Sequence, residues 1–353
     1  MQETARKALV ATLIVVAVVA LALALWKLRL VIALFFLALI ISAAMRPSVE
    51  WLARYRVPRG LGILAHYAVL AGVIAVLLWA IVPRAIDQVD KALGGIPTSS
   101  TELQRETKQS TGFKHEILKR IQDGLDELPS SRDLLDPAIS LTFTAFEVLL
   151  AIFFTLACAA YWIFERERAE MLVLSVLRRS KRRVVRDTWN LIDMKLGAYV
   201  RGQLLLITFV ASVLSLIFYL IGLPFWLLIG IFAGLVEIVP VIGPIAAGAV
   251  AVGVGLTDTW QLALAAGLAV LGVRLLEDYI VIPRVLGHAV GLTPLSVLIA
   301  VTAMGILFGG FAVLLAIPFA AVLATLIDVI VRHRNPADEE VPAVLFPAKE
   351  IEP

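Results

Sequence analysis

The amino-acid sequence predicts an all-α membrane protein, a polytopic transmembrane helical bundle with two helical hairpins interrupted by proline and glycine. Of its 353 residues, 60% are hydrophobic and only 17% are charged, whereas soluble domains average about 45–50% apolar and about 25% charged residues. The mean hydropathy is +0.93. Because a helix of about 20 apolar residues crosses the hydrocarbon core, the long apolar runs predict one continuous membrane bundle rather than several soluble domains.

Apolar runs mark the expected membrane segments. The first, residues 8–25, contains no charged residue and follows Arg6 and Lys7. A signal peptide is the alternative, but its apolar core is usually about 7–15 residues long and ends at a small-residue cleavage site. A second apolar run, residues 30–45, follows directly, so the two predict a retained helical hairpin. Further membrane segments are expected at residues 61–82, 138–164, 203–256, 260–282 and 294–331.

Charge in the connecting segments predicts the orientation, because Lys and Arg near span ends are retained on the cytoplasmic side. Residues 46–60 carry four Arg and one Glu, and residues 165–201 carry ten basic and five acidic residues. Residues 84–137 carry eight basic and ten acidic residues. We therefore expect both chain termini, residues 46–60 and residues 165–201 to be cytoplasmic. Residues 84–137 are expected to be extracytoplasmic.

The basic segment, residues 165–201, also bears on partners. Its apolar residues recur at helical spacing, which favours an interfacial helix lying on anionic lipid. A cytoplasmic protein partner is the alternative, since polybasic helices serve both purposes. No base-reading or aromatic-studded RNA-binding motif accompanies the basic residues, so we expect no nucleic-acid partner.

The most informative stretch runs from residue 222 to residue 256. Proline removes a helical hydrogen bond and disfavours helix at the residue before it, so Pro240, Gly243 and Pro244 predict a break. The flanking arms would be about 22 Å and about 18 Å long, each short of a hydrocarbon core of about 30 Å. Irregular backbone at that depth is tolerated only when it is buried in protein or lines a wet cavity. The break therefore marks a candidate pathway.

A similar pattern recurs downstream. An apolar stretch opens at Pro294, breaks between Gly305 and Gly310 at a segment that includes Gly309, and carries Pro318 in its second arm. Two opposed re-entrant hairpins around a site at the membrane midplane are a recurrent transporter architecture. The alternative is that both segments are kinked full spans, since proline kinks are common in membranes.

Charged residues inside the predicted membrane segments are candidates for coupling. Glu237 lies three residues before Pro240, and a carboxylate in apolar surroundings takes up a proton more readily than in water. A structural role, capping amides freed by the break, is the alternative. Arg274, Glu277 and Asp278 are spaced i, i+3 and i+4, so they share one helix face and predict an internal ion pair. Their role is either transport or purely structural.

Several classes of function are disfavoured. The single cysteine, Cys158, lies in an apolar run, and the four histidines are scattered, so we expect no metal site and no disulfide. No phosphate-cradling glycine loop with its lysine is present, which argues against an ATP-driven pump. We also expect no catalytic residue and no cofactor, because no nucleophile and base form a recognisable pair.

Five stretches, taken together, resemble the autoinducer-2 exporter family of bacterial transporters. They are residues 47–60, with Pro47, Trp51 and a Pro-Arg-Gly turn; residues 199–203, Tyr-Val-Arg-Gly-Gln; residues 240–244, Pro-Val-Ile-Gly-Pro; residues 277–294, from Glu-Asp-Tyr to Pro294; and residues 307–318, from Leu-Phe-Gly to Pro318.

The resemblance implies a multi-pass secondary transporter of the bacterial cytoplasmic membrane that works without ATP and forms a homo-oligomer. It implies export of a small polar metabolite such as autoinducer-2, or exchange of sodium or lithium for protons. A non-transporting membrane scaffold is a third interpretation.

The apolar runs and the charged segments also divide the chain into six parts. Residues 1–83 would form three helices, 84–137 an extracytoplasmic insertion, 138–164 a fourth helix, 165–201 the basic segment, 202–331 the transport core, and 332–353 a polar cytoplasmic tail.

Overall fold

A computed structural model describes residues 2–93, 135–239, 242–285, 292–339, 341, 342 and 344. Every regular element in these residues is helical, which confirms the predicted all-α fold. In chain order the helices are α1 (Gln2–Lys27), α2 (Arg29–Arg54), α3 (Arg59–Leu93), α4 (Leu135–Val176), α5 (Arg179–Leu220), α6 (Trp226–Val236), α7 (Ile242–Leu256), α8 (Trp260–Leu276), α9 (Ile282–Val285), α10 (Pro294–Phe308), α11 (Gly310–Val313) and α12 (Ala316–Ile330).

The first five helices, α1 to α5, are each long and apolar enough to cross a membrane. The helices α1 to α4 contain the predicted apolar runs 8–25, 30–45, 61–82 and 138–164, and α5 contains the part of the 203–256 run that precedes the first interrupted segment. Helix α3 continues eleven residues past residue 82, the predicted end of its span, into the expected extracytoplasmic insertion. Residues 94–134 of that insertion lie outside the described residues.

The expected basic segment, residues 165–201, is divided between two helices: α4 continues through residues 165–176, and α5 joins the part from Arg179 onward to the next span. The 42 residues of α5 correspond to about 63 Å of helix, roughly twice the thickness of a hydrocarbon core. The turn that separates α4 from α5 is closed by Arg182, whose Nε donates to the carbonyl of Leu177 at 3.1 Å. Residue 201, where the sequence suggested a domain boundary, is therefore interior to a helix.

The described residues divide into two compact units. Unit 1 comprises Met1–Ala43, Ala151–Leu196 and Gly291–Asp338, and unit 2 comprises Ala44–Leu150, Gly197–Val290 and Glu339–Pro353. Within unit 1, Trp162 stacks on Trp189 and meets Phe35 edge to face. The buried Lys195 donates to Thr325 at 3.1 Å.

Unit 2 has a core made by α5, α6, α7 and α8. Its buried members are Val210, Leu214, Phe218, Leu223, Ile229, Ala233, Ala247, Ala251, Ala266, Val270 and Val273. Small residues allow the backbones to approach closely, as is usual between membrane helices. A Cβ added to Gly234 on α6 would lie 2.6 Å from the Ala211 side chain on α5, and one added to Gly255 on α7 would lie 2.6 Å from the Cα of Ala263 on α8.

The two interrupted segments are pairs of short helices. Helices α6 and α7 contain 11 and 15 residues, or about 17 Å and about 23 Å, and they pack against each other. Helices α10 and α12 contain 15 residues each and also pack against each other. The predicted breaks are thus confirmed. Whether each pair re-enters the membrane or forms a kinked full span stays a prediction.

Candidate functional site

The backbone tightens immediately after α6. The N–H of Ile238 donates to the carbonyl of Leu235, and the N–H of Val239 to that of Val236, so both bonds have the i to i−3 spacing of a tight turn. Gly243, in the first turn of α7, lies against the end of α6, and an added Cβ there would overlap the carbonyl oxygen of Val236. A glycine is therefore required for α7 to begin this close to the end of α6.

Glu237 is the residue at this break, and it is only 6% exposed. Its backbone carbonyl accepts a hydrogen bond from Nε2 of Gln203 on α5, at 3.1 Å. Its side-chain Oε1 accepts from Nη1 of Arg274 on α8, at 3.0 Å. Two neighbouring helices thus hold Glu237 through different atoms.

Arg274 binds three carboxylates at once. Its Nη1 donates to Glu277 at 3.2 Å as well as to Glu237, and its Nη2 lies 2.8 Å from Oδ1 of Asp278. Glu277 is 2% exposed, whereas the Asp278 side chain is 40% exposed. We call these four residues the carboxylate cluster.

The cluster combines a local and a long-range relationship. The sequence predicted the local part, since i, i+3 and i+4 residues share a helix face. The helical spacing gave no reason to group Glu237 with these residues. In the structure, Glu237 contacts the guanidinium of Arg274 as Glu277 does. The planar fork of arginine suits this arrangement, because its five N–H donors can serve several carboxylate oxygens.

A π-helical turn lies next to Arg274. It spans Glu277–Val281, and the N–H of Ile282 donates to the carbonyl of Glu277, five residues earlier. The proline at 283 has no N–H, and its ring would clash with the carbonyl four residues earlier in a regular helix; the wider turn relieves that clash. Such turns are frequent at functional sites.

A small cavity adjoins the cluster. The volume open to the centre of a water molecule is about 10 Å³, the space that one buried water needs. Its walls are apolar apart from members of the cluster. The lining residues are Val210, Leu214, Ala233, Glu237, Pro244, Ala247, Val270, Val273, Arg274 and Glu277.

The remaining predicted pathway residues are distributed as follows. Pro240 lies outside the described residues, and Pro244 is half-buried in the first turn of α7. Gly309 and Pro318 belong to unit 1. Gly309 separates α10 from α11 with φ of 90°, a value that favours glycine, and Pro318 is buried near the start of α12.

Sequence reasoning assigned no role to Gln203 or Arg201. Arg201 donates from Nε to the carbonyl of Val344 in the C-terminal tail at 2.9 Å and from Nη1 to the carbonyl of Ala44 on α2 at 3.2 Å. The available signal was their polarity, since both lie where a basic segment passes into an apolar run.

Among the described residues, no group of three His, Cys, Asp or Glu is arranged to hold a metal ion.

Comparison with known proteins agrees with the motifs. The sequence profile described as "AI-2E family transporter" matches residues 13–332. YrrI of Bacillus subtilis is 26% identical over 318 residues, which is 87% of this chain and 89% of that protein. YueF of the same organism is 25% identical over 291 residues, 78% of each chain. MT0215 of Mycobacterium tuberculosis is 26% identical over 345 residues, 92% of this chain and 90% of that protein.

All three relatives carry the name "putative transport protein". The profile match begins within α1 and ends just after α12, so it includes both interrupted helix pairs and the carboxylate cluster. The resemblance inferred from scattered motifs is therefore confirmed over nearly the whole chain, which belongs to the AI-2E family of membrane transporters.

Proposed function

We propose that this protein is a secondary transporter that exports a small polar metabolite such as autoinducer-2, coupled to proton movement through the carboxylate cluster. The observation that carries the proposal is the sharing of one guanidinium by three carboxylates, two of them buried. Fully ionised, the cluster would hold three negative charges and one positive charge. An uncompensated charge in apolar surroundings is costly, so the cluster favours uptake of a proton or another cation.

Proton binding changes which contacts the cluster can make. With Glu237 ionised, the ion pair between Arg274 on α8 and Glu237 links α8 to the end of α6. A neutral Glu237 attracts the guanidinium less, and Arg274 is left with Glu277 and Asp278 on its own helix. The contact between α6 and α8 therefore weakens on protonation. A ligand shifts a conformational equilibrium only through such differential contacts.

The place of the cluster in the fold supports a transport role. Discontinuous membrane helices commonly form the substrate and ion sites of secondary transporters. Here the break after α6 and the π-helical turn after α8 supply Glu237 and Glu277, respectively. The names of the relatives also indicate transport, although none of them specifies a solute.

Exchange of sodium or lithium for protons is the second candidate. Hard cations prefer carboxylate and other oxygen ligands, and the negative excess of the cluster suits a monovalent cation. The side chain of Asp278 is 40% exposed and gives a hydrated cation a first contact. Glu277 is the neighbouring residue in the chain.

A membrane scaffold without transport is the third candidate, since the basic turn between α4 and α5 could bind a partner.

As part of the same proposal, the protein lies in the bacterial cytoplasmic membrane with both termini in the cytoplasm. It also assembles as a homo-oligomer. These assignments rest on the charge distribution of the connecting segments and on the family resemblance.

Flux measurements on the purified protein in proteoliposomes test the proposal. The panel contains autoinducer-2, sodium and lithium, each measured with and without a pH gradient. We expect autoinducer-2 flux that a pH gradient accelerates. Cation flux alone, with matching proton counterflow, would replace the export proposal by antiport. Absence of flux for every solute, with correctly inserted protein, would favour the scaffold.

A further inference from the structure

We propose that the turn between α2 and α3 binds the phosphate of an anionic phospholipid of the bilayer through Arg54 and Arg56. The proposed transport function makes no use of this turn. It belongs to residues 47–60, one of the stretches that carry the family resemblance, and all of these residues lie in unit 2.

An arginine occupies a backbone position in this turn that suits glycine. The N–H of Val57 donates to the carbonyl of Leu52 at 3.4 Å, and the N–H of Arg56 donates to the carbonyl of Ala53 at 3.1 Å. This pair of bonds is the Schellman motif, in which the residue that follows the helix is left-handed and usually glycine. Arg56 takes that position with φ of 63°, at a steric cost that glycine does not carry. Residues held against such a cost are concentrated at functional sites, which points to a use for the Arg56 side chain.

The two arginines carry charge that no carboxylate balances. Arg54 and Arg56 are exposed, and neither forms an ion pair with another residue that the structure describes. The nearest acidic residue before them in the chain, Glu50, is paired with Arg46 at 2.6 Å. Residues 51–86 contain no Asp or Glu. The turn therefore presents two guanidinium groups that are open to an anion.

Two exposed aromatic side chains adjoin the arginines. Trp51 and Tyr55 are 48% and 67% exposed, and their rings meet edge to face with centroids 5.0 Å apart. Trp51, Arg54 and Tyr55 are spaced i, i+3 and i+4, so they share one face of α2. Trp and Tyr are enriched at the membrane–water interface, because each has an apolar ring and a polar group. This face therefore suits a lipid, with its phosphate on the guanidinium groups and its glycerol region beside the rings.

The turn also lies at the depth where lipid headgroups are expected. Helix α2 continues nine residues past the apolar run 30–45, and α3 reaches the next run, 61–82, two residues after it begins. Trp51 is about 9 Å along the helix from the end of its apolar run, close to the headgroup layer that flanks the hydrocarbon core. Guanidinium groups bind phosphate through paired N–H donors, and juxtamembrane basic residues attract anionic lipid. An acidic protein would match the charge, but an exposed aromatic pair at this depth favours the lipid.

Thermal unfolding of the full-length protein in neutral detergent measures binding without transport. Phosphatidylglycerol is the anionic lipid, phosphatidylcholine the zwitterionic one, and glycerol 3-phosphate the soluble phosphate. We expect phosphatidylglycerol alone to raise the melting temperature, because a ligand that binds only the folded state stabilises it. Equal stabilisation by glycerol 3-phosphate or by phosphatidylcholine would overturn the binding of an anionic lipid. Stabilisation by polyglutamate and not by phosphatidylglycerol would assign the turn to an acidic protein instead.

A double variant tests the two arginines. Arg54→Gln with Arg56→Gln should raise the phosphatidylglycerol concentration for half-maximal stabilisation about 25-fold. This is about fivefold for each arginine, the equivalent of about 1 kcal/mol for a basic residue at an anionic lipid surface. The control, Arg332→Gln with Arg334→Gln, removes the same charge from arginines that already pair with Asp328 and should keep the parent response. An equal response of the two double variants would overturn the site.

Arg56→Gly separates the backbone cost from the lipid contact. Glycine relieves the left-handed conformation, so the melting temperature without lipid should rise, while the response to phosphatidylglycerol should weaken about fivefold. Arg54→Gln is the matched variant, since Arg54 is the last residue of α2 and has no such cost; it should weaken the response without raising the melting temperature. If Arg56→Gly keeps the parent's lipid response, or lowers the melting temperature without lipid, Arg56 is not retained for lipid binding and the proposal is wrong.

Discussion

Nη1 of Arg274 lies 3.0 Å from Oε1 of Glu237, although the two residues are 37 positions apart in the chain. The same nitrogen lies 3.2 Å from Oε2 of Glu277. One donor atom therefore links the break after α6 to the π-helical turn after α8. Any change in the charge of either carboxylate alters the link between the two irregular segments of unit 2.

Loss of the guanidinium should destabilise the protein. Arg274→Ala leaves two buried carboxylates without their partner, and breaking a buried ion pair costs about 3–5 kcal/mol. Thermal unfolding in detergent or lipid measures the loss. Glu237→Gln combined with Arg274→Ala should recover part of it, because one uncompensated charge is removed. The control is Arg332→Ala, which breaks an exposed pair with Asp328 and should cost less than about 1 kcal/mol. If Arg274→Ala is as stable as the parent, Arg274 does not stabilise the buried carboxylates of the cluster.

Gly243 should not tolerate a side chain. Gly243→Leu forces a Cβ into the carbonyl oxygen of Val236, so the turn between α6 and α7 must open. We expect flux to be abolished while the protein still inserts. Gly253→Leu on the same helix is the control, because nothing lies within 4 Å of a Cβ at that position. Equal flux from the two variants would show that the close approach at Gly243 does not matter for transport.

Cysteine labelling tests the orientation predicted from charge. In a Cys158→Ala background, Thr107→Cys should react with a membrane-impermeant reagent added to intact cells. Lys181→Cys should react only after the cells are opened, because the basic turn between α4 and α5 is predicted to be cytoplasmic. Labelling of Lys181→Cys from outside would reverse the assigned topology.

The C-terminal tail should detach when its buried anchor becomes polar. Val344 is 4% exposed and packs against Ala198 and Leu205 on α5, and its carbonyl accepts from Arg201 at 2.9 Å. Val344→Asp places a charge in this apolar contact, so limited proteolysis should remove the tail faster than in the parent. Arg334→Gln, at an exposed arginine, is the control. An unchanged cleavage rate for Val344→Asp would show that the tail is not anchored there.

The sequence was sufficient for the features that depend on local patterns. Long apolar runs predicted the membrane-crossing parts of α1 to α5, though not the continuation of α4 and α5 through the basic segment. Pro240 with Gly243 predicted the interruption between α6 and α7. The face shared by Arg274, Glu277 and Asp278 followed from helical periodicity alone.

Features that depend on long-range packing could not be predicted from local sequence patterns. The meeting of Glu237 with Arg274 requires α6 and α8 to lie close together, which no local pattern specifies. The partnership of Gln203 with the Glu237 carbonyl is of the same kind. The π-helical turn had a local signal, Pro283, but proline is equally compatible with a kink or a helix end.

Flux of the Glu237→Gln variant against pH decides whether Glu237 carries the coupled proton. The substitution imitates the protonated carboxyl at nearly the same volume, so the protein should insert and fold, and an amide oxygen can still accept from Arg274. Flux is compared with the parent from about pH 5.5 to about pH 8.5, the range in which a buried carboxyl titrates. We expect the parent's pH dependence to disappear in the variant. If the variant keeps the parent's pH profile, Glu237 is not the coupling group, and the role passes to Glu277 or Asp278.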